Sequence, residues 1–438
     1  MGRLCSLVIL VLSPYKRISY LTIFMKKIML LVLYSTGLAA LATAEVRVWK
    51  DSQGREVPAE MTGMQGENVL LKMRDGRIIP FPLAQLSVPD QEFARNNPGR
   101  SAAAGSWQKG MHKGDLALQS ASQLTFGPAG VLFIGDTRAA AIIALATGDS
   151  SSAAPREVKV EAIDQKLAAL LGTSVDQITI QDIAVNPLSK NVYIAIARGK
   201  GPEAAALIAK VDAKGDIQPV PLKNALFSRA ELADAPGTGQ RQESITDIAF
   251  FEDRLLVAGL SNEEFSSSFR AIPFPFQKVA KGAGVEIFHG AHGKFETRSP
   301  VRTFLPIKIG GQPSLLAAYT CTPLVQIPIK DLIPGAKIRG KTVAELGNGN
   351  RPLDMILYEK SGKQFVLMAN SSRGIMKINT DNLENLEGIT SQTGVAGQPY
   401  ETVKNWSGVE QLDTFNAQQA LALRREGSTL NLETLSLP

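Results

Sequence analysis

Only three histidines occur in the 438 residues, and two of them stand three apart in Phe288-His289-Gly290-Ala291-His292-Gly293-Lys294-Phe295-Glu296. Imidazole nitrogens with a carboxylate four residues further on suit zinc or a related divalent ion. Glycines on both sides would let a loop fold around one. A catalytic centre also needs a third protein ligand and an open position, which this stretch alone does not supply, so a polar loop or strand edge is the competing account. A second set is dispersed along the chain: Asp182, Asp247 and Asp354 each open an apolar phrase. If each begins an inner strand around a channel, their carboxylates could hold calcium with an Asn or Glu such as Asn186 or Glu243. The structural account is that each Asp caps a turn and accepts backbone amides, and it is the one adopted here.

Other chemistry is excluded on motif grounds. The chain has no nucleophile elbow, no phosphate loop and no G-x-G-x-x-G after a strand, and without C-x-x-C-H it has no covalent haem site. Gly199-Lys200-Gly201-Pro202 reads as a turn. The two cysteines are Cys5 and Cys321. Cys321 lies in Leu315-Leu316-Ala317-Ala318-Tyr319-Thr320-Cys321-Thr322, which reads as a buried strand in which the thiol packs as a small hydrophobe. No catalytic residue and no cofactor is assigned, with a divalent metal as the alternative.

The elements that must position these residues are strands. From residue 115 to 438 an Asp-led or apolar phrase, a turn and a second apolar run recur. Asp182–Val185 goes with Val192–Ala195 and Ala209–Asp212, and Asp247–Phe250 with Leu255–Ala258. Asp354–Leu357 goes with Phe365–Met368 and Met376–Asn379, and Leu124–Phe126 with Val131–Ile134. Leu315–Tyr319 with Leu324–Ile329, and Gln411–Leu432, complete six units. One such unit cannot cover both of its own faces, so the units must pack radially. The expected fold is all-β, a β-propeller of six or seven blades, and Ile163–Leu171 is the best short helix candidate.

Residues 45–93 form a separate small module of short alternating runs with turns at Asp51–Gly54, Gly63–Asn68 and Asp75-Gly76, as expected of an SH3-like barrel. Arg47-x-Trp49-x-Asp51-x-x-Gly54, Leu71-Lys72 followed by Asp75-Gly76-Arg77, and Leu83-x-x-Leu86-Ser87-x-x-Asp90 resemble the first homology domain of the endocytic adaptor Sla, a form of which occurs in exported bacterial proteins. The resemblance implies recognition of a protein or peptide, with Trp49, Asp51 and Phe81 as contact residues. The alternative is that Trp49 and Phe81 simply fill the core. Residues 94–114, small and polar without periodicity, read as a linker. Phrases such as Glu345-Leu346-Gly347-Asn348 and Ala369-Asn370-Ser371-Ser372-Arg373-Gly374 make residues 115–438 similar to exported bacterial propellers of unassigned function. The Trp-Asp dipeptide of WD repeats and a repeated Trp-rich quinone-docking signature do not occur.

Residues 1–44 read as a signal peptide. Lys26-Lys27 precede an apolar run to Leu41 and the small residues Ala42-Thr43-Ala44, with a start at Met25 as a variant. The expected location is periplasmic or secreted, with no membrane span left after cleavage. The net charge of +6 comes mostly from that segment, because Arg3, Lys16, Arg17, Lys26 and Lys27 are unopposed there, and 42 basic and 41 acidic residues remain. Such a balance gives no electrostatic footprint for nucleic acid. The chain thus reads as an exported non-enzymatic protein-binding scaffold. The alternative is a metal-dependent propeller hydrolase, such as a calcium lactonase or esterase, built on His289, His292 and Glu296 or on the three aspartates.

Overall fold

The computed structural model describes residues 46–65, 68–96, 106–151, 153 and 156–438. Residues 1–44, read above as a signal peptide, lie outside them. Among the described residues no helix is long and apolar enough to cross a membrane.

In the N-terminal module Val46–Lys50, Glu56–Gln65, Asn68–Met73 and Ile78–Pro82 pair in that order into one sheet. Asp75-Gly76 turns the last hairpin, with Met73 N–H on Arg77 O. A bulge at Met61/Gly63 bends the long second strand, and a bridge between Asp51 and Leu86 brings the chain back to its start. Trp49 is the centre of the small core, with Val69, Leu71 and Leu86 around it. Helix Val88–Asn96 closes the module. The Asp90 carboxylate near its start accepts from Arg47, from Lys50 N–H and from Ser87, tying the helix to the first strand.

Among the described residues six sheets form the rest, and their inner strands form a closed ring. Blade 1 runs outward from Leu124–Phe126 through Val131–Asp136, Ala141–Ala146 and Ala225–Glu231 to His112–Gly114, so the segment read as linker already contributes a strand. Blade 2 is Ile178–Val185, Val192–Arg198, Ala205–Val211 and Ile217–Pro219. Blade 3 runs from Asp247–Phe251 through Arg254–Leu260 and Ser267–Pro273 to Ala283–His289 and Lys294–Glu296. Blade 4 runs from Val301–Ile309 through Gln312–Tyr319 and Pro323–Pro328 to Lys341–Leu346 and Val395–Gly397. Blade 5 is Pro352–Lys360, Lys363–Asn370, Gly374–Asn379 and Tyr400–Thr402. Blade 6 is Val409–Thr414, Gln419–Glu426, Thr429–Ser436 and, on its outer edge, Lys159–Val160.

Chain order and ring order differ. Each pair of neighbouring blades shares one apolar cluster: Ile134 and Ile143 with Tyr193 and Ile208, Phe133 and Ile142 with Leu255 and Val257, and so on around the ring. Read from these clusters, the order is 2-1-3-4-5-6, closing from 6 back to 2 through Ile183, Val192, Leu421 and Leu432. After four strands of blade 1 the chain crosses to lay Lys159–Val160 on blade 6. It then builds blade 2 and returns to supply the fifth strand of blade 1, Ala225–Glu231. The ring is thus latched by antiparallel pairing of Leu432 with Val160, which ties the C-terminal blade to an early strand. The helix Ile163–Leu170, close to the expected one, buries Ile163 and Leu167 in the cluster shared by blades 6 and 2.

Candidate metal centre

The His-x-x-His stretch is a hairpin on the outer part of blade 3. Ala283–His289 ends at His289, and Gly290–His292 makes one 3-10 turn. Gly293 takes φ 65°, a left-handed conformation that glycine adopts without strain, and Lys294–Glu296 pairs back with Ile287 opposite Glu296. Phe288 against Phe295 edge-on, and Arg339 over the Phe295 ring, brace the hairpin. This geometry aims both imidazoles at one carboxylate. His289 Nδ1 lies 3.0 Å from Glu296 Oε2 and His292 Nδ1 lies 2.6 Å from Glu296 Oε1. The rings sit 3.9 Å apart, centroid to centroid, tilted by 36°.

Burial by itself would raise the Glu296 carboxyl. Hydrogen bonds from Ser299, His292 and His289 outweigh it and hold the group down at about 2. An ionised Glu296 only accepts, so each Nδ1 donates to it. Burial also lowers the His289 pKa, against the pull of Glu296, keeping that ring neutral. His289 is enclosed, at 2% exposure, and its Nε2 is buried without a partner. His292 is half exposed.

The third donor comes from the neighbouring blade. Cys321 lies in the turn after Gln312–Tyr319, in the left-handed region at φ 64°, with its N–H on Asn350 O. It is half-buried at a turn, which corrects its reading as a buried strand residue. Its thiol meets the two histidines: donor atoms of His289, His292 and Cys321 all lie within 4.8 Å of one another. Metal bonds of about 2.0–2.3 Å to nitrogen and sulfur put neighbouring ligands about 3.3–3.9 Å apart, so these donors would have to draw in by about 1 Å to hold an ion. Glu296, proposed from sequence as a ligand, instead stands behind the imidazoles as the group that orients them. Glu345, on Lys341–Leu346 of blade 4, packs against the same turn: it is fully buried and accepts the Gly290 N–H on Oε1 at 2.5 Å. Its Oε2 has no partner, and burial raises its pKa to about 7.

Asp182, Asp247 and Asp354 line a channel cavity of about 250 Å³ on the propeller axis, with Phe251, Phe304 and Met355. Each carboxylate accepts the N–H of the next residue in its own strand and one N–H of a neighbouring blade. The latter are Leu124 for Asp182 (2.6 Å), Phe304 for Asp247 (2.7 Å) and Leu412 for Asp354 (2.8 Å). Asp413, which the sequence reading missed, does the same for Val185 at 2.6 Å. It escaped because Thr414, not an apolar residue, follows it. Although these residues are only half-buried, their carboxyls are enclosed in the channel wall. Burial raises Asp247 to about 7 and Asp413 to about 6, and raises Asp182 and Asp354 as well.

Comparison with known proteins bears on the two parts differently. Residues 40–102 match the family described as SLA1 homology domain 1. The N-terminal module is a Sla homology domain. Within this Sla homology domain, Trp49 is fully buried with Nε1–H on Ala59 O, Asp51 accepts from Gln53 N–H, Arg55 N–H and Arg55 Nε, and Phe81 packs half-buried on the core. No curated protein matches the chain.

Among solved structures the chain is similar to a glucose dehydrogenase (11% identity, 75% of this chain and 99% of that one, TM-score 0.31). It is similar also to the PQQ-bound aldose sugar dehydrogenase of Streptomyces coelicolor (12%, 74% and 96%, TM-score 0.27). A third is the Cps50 (Swd1) β-propeller domain of Myceliophteria thermophila (12%, 86% and 96%, TM-score 0.32). The expectation of a non-enzymatic binding scaffold, with a hydrolase as alternative, is corrected here, because sugar dehydrogenases, enzymes of neither kind, stand among the similar structures. At these identities and TM-scores no substrate or cofactor passes from them to this chain.

Proposed function

We propose that this protein is an exported one-electron carrier that holds a single copper ion between His289, His292 and Cys321. One observation carries the reading: the Nε2 of His289 is buried without a partner, and a donor atom from each of His289, His292 and Cys321 lies within 4.8 Å of the others. An orphaned buried acceptor costs about 1–3 kcal/mol, which a bound ion removes. The donor set supports copper over a hard cation. A thiolate disfavours calcium and magnesium, and two imidazoles with one thiolate are the ligands of copper electron-transfer centres. The half-exposed ring of His292 gives the electron a way to solvent and to a second one-electron carrier, with Cu(II) taking up one electron to become Cu(I) and returning it. The N-terminal segment supports export, and a lone mature thiol has no internal disulfide partner to consume it.

The test is titration of the purified mature protein with Cu(II). One equivalent per chain, an intense visible thiolate-to-copper band and a reversible one-electron couple are expected. Copper bound without that band, or equally well by Cys321→Ser, overturns the reading.

A further inference from the structure

Residues Arg47–Pro438 form one compact unit, and within it the Sla homology domain meets the propeller turn to turn. On the domain's side stands Asp75-Gly76-Arg77, between Asn68–Met73 and Ile78–Pro82. On the propeller's side stands Glu252-Asp253, which joins the first two strands of blade 3. The Phe251 ring comes so close that a Cβ on residue 76 would fall 2.6 Å from its Cε2, so only glycine lets the ring seat there. Lys72 Nζ stands 3.9 Å from a Glu252 carboxylate oxygen and 4.0 Å from one of Glu60 in its own sheet. Arg77 Nε donates to Asp75 at 2.6 Å, so the tip brings no net charge. The three tip residues line the channel cavity together with Phe251, Pro306 and Leu357. Phe251 ends the strand that Asp247 begins, which puts the tip at the end of the channel about 13 Å from the Asp247 backbone.

The propeller's turn is built against local preference. A two-residue hairpin turn with both residues in the left-handed region favours asparagine and glycine. At the same place blade 4 has Gly310-Gly311 and blade 5 has Ser361-Gly362. Blade 3 instead holds Glu252 at φ 47° and Asp253 at φ 61°, with no glycine to relieve the strain. The Glu252 side chain reaches Lys72, a contact that glycine could not make. Strain kept where two modules touch points to a working contact.

We propose that this mouth of the propeller is the docking surface for the Asp75–Arg77 turn, and that the seated turn is a stopper that lifts to open the channel. Its hold is light: a ring against a glycine and a partly exposed ion pair, which salt weakens. A partner that takes Lys72 or Arg77 competes with the propeller for the same side chains, so occupying the turn and opening the channel are coupled.

The experiment treats the mature chain with a water-soluble carbodiimide, which joins an amine to a carboxylate in contact, and maps the products by mass spectrometry. A Lys72–Glu252 cross-link is expected in wild type, and its absence overturns the proposal. Inner strands are the free edges of their sheets, so alternate N–H groups face the channel and report its opening by hydrogen exchange. Exchange of segments 248–251, 304–306 and 355–357 should be about tenfold faster in Glu252→Lys than in wild type. It should return to the wild-type rate in Lys72→Glu/Glu252→Lys, where the pair is restored with its signs exchanged. Equal exchange in wild type and Glu252→Lys, or no recovery in the double variant, overturns the proposal. The outer strand Thr429–Ser436 should exchange alike in all three proteins. A matching rise there means that the ring itself unfolds, and overturns the proposal as well.

Discussion

The channel of the propeller and the outer hairpin of blade 3 both bring acids and acceptors together, yet they treat them in opposite ways. Around the channel, Asp182, Asp247, Asp354 and Asp413 each use one oxygen on their own strand and one on the next blade, so the acids act as clips between inner strands. On the hairpin, Glu296 saturates both Nδ1 atoms, but His289 Nε2 and Glu345 Oε2 are left without partners in closed surroundings. Side-chain type does not separate a ligand site from a structural one. The balance of donors and acceptors bears on the distinction, because a buried unpaired polar atom costs about 1–3 kcal/mol.

Removing a donor should break this contrast most sharply. His289→Ala and Cys321→Ser should each weaken copper binding by about a hundredfold or more, read by competition with a chelator, whereas Asp182→Asn should leave it unchanged. Glu296→Gln comes next: freeing the imidazoles from their shared acceptor should lower affinity by about 10–100-fold with the fold intact by circular dichroism. On the channel side, Asp354→Ala leaves Leu412 N–H without its acceptor and should destabilise the propeller by about 1–3 kcal/mol in urea unfolding, with copper affinity unaltered.

The smallest effect is a pH profile. Burial raises the channel carboxyls, so the folded state keeps protons that the unfolded chain releases. Their contribution is therefore complete below the unfolded value of about 3.9. It is lost as pH rises through about 6 for Asp413 and about 7 for Asp247. Replacing both by Asn should flatten the melting temperature against pH over that window. An unchanged slope would show that these acids are not the protonated groups.

Much of this was legible from local pattern. Burial on both faces writes blade strands as apolar runs, so all six units could be found, as could the Trp49-centred module and the hairpin holding His289, His292 and Glu296 in one short stretch. Asp413 was missed because its neighbour Thr414 broke the phrase. Cys321 was misread because the apolar run extends up to the turn in which it lies.

The sequence by itself determined what short-range geometry can: the strands, the turns, and a His-x-x-His with Glu four residues beyond, which a two-stranded hairpin folds onto one carboxylate. Only the tertiary structure decided which blades are neighbours, since that depends on apolar clusters and a latch between Leu432 and Val160 that join distant segments. Cys321 reaches the histidines, and Glu345 the Gly290 amide, for the same reason. They belong to blade 4, and packing of one blade's flank on the next, which no local periodicity encodes, sets them against the hairpin of blade 3.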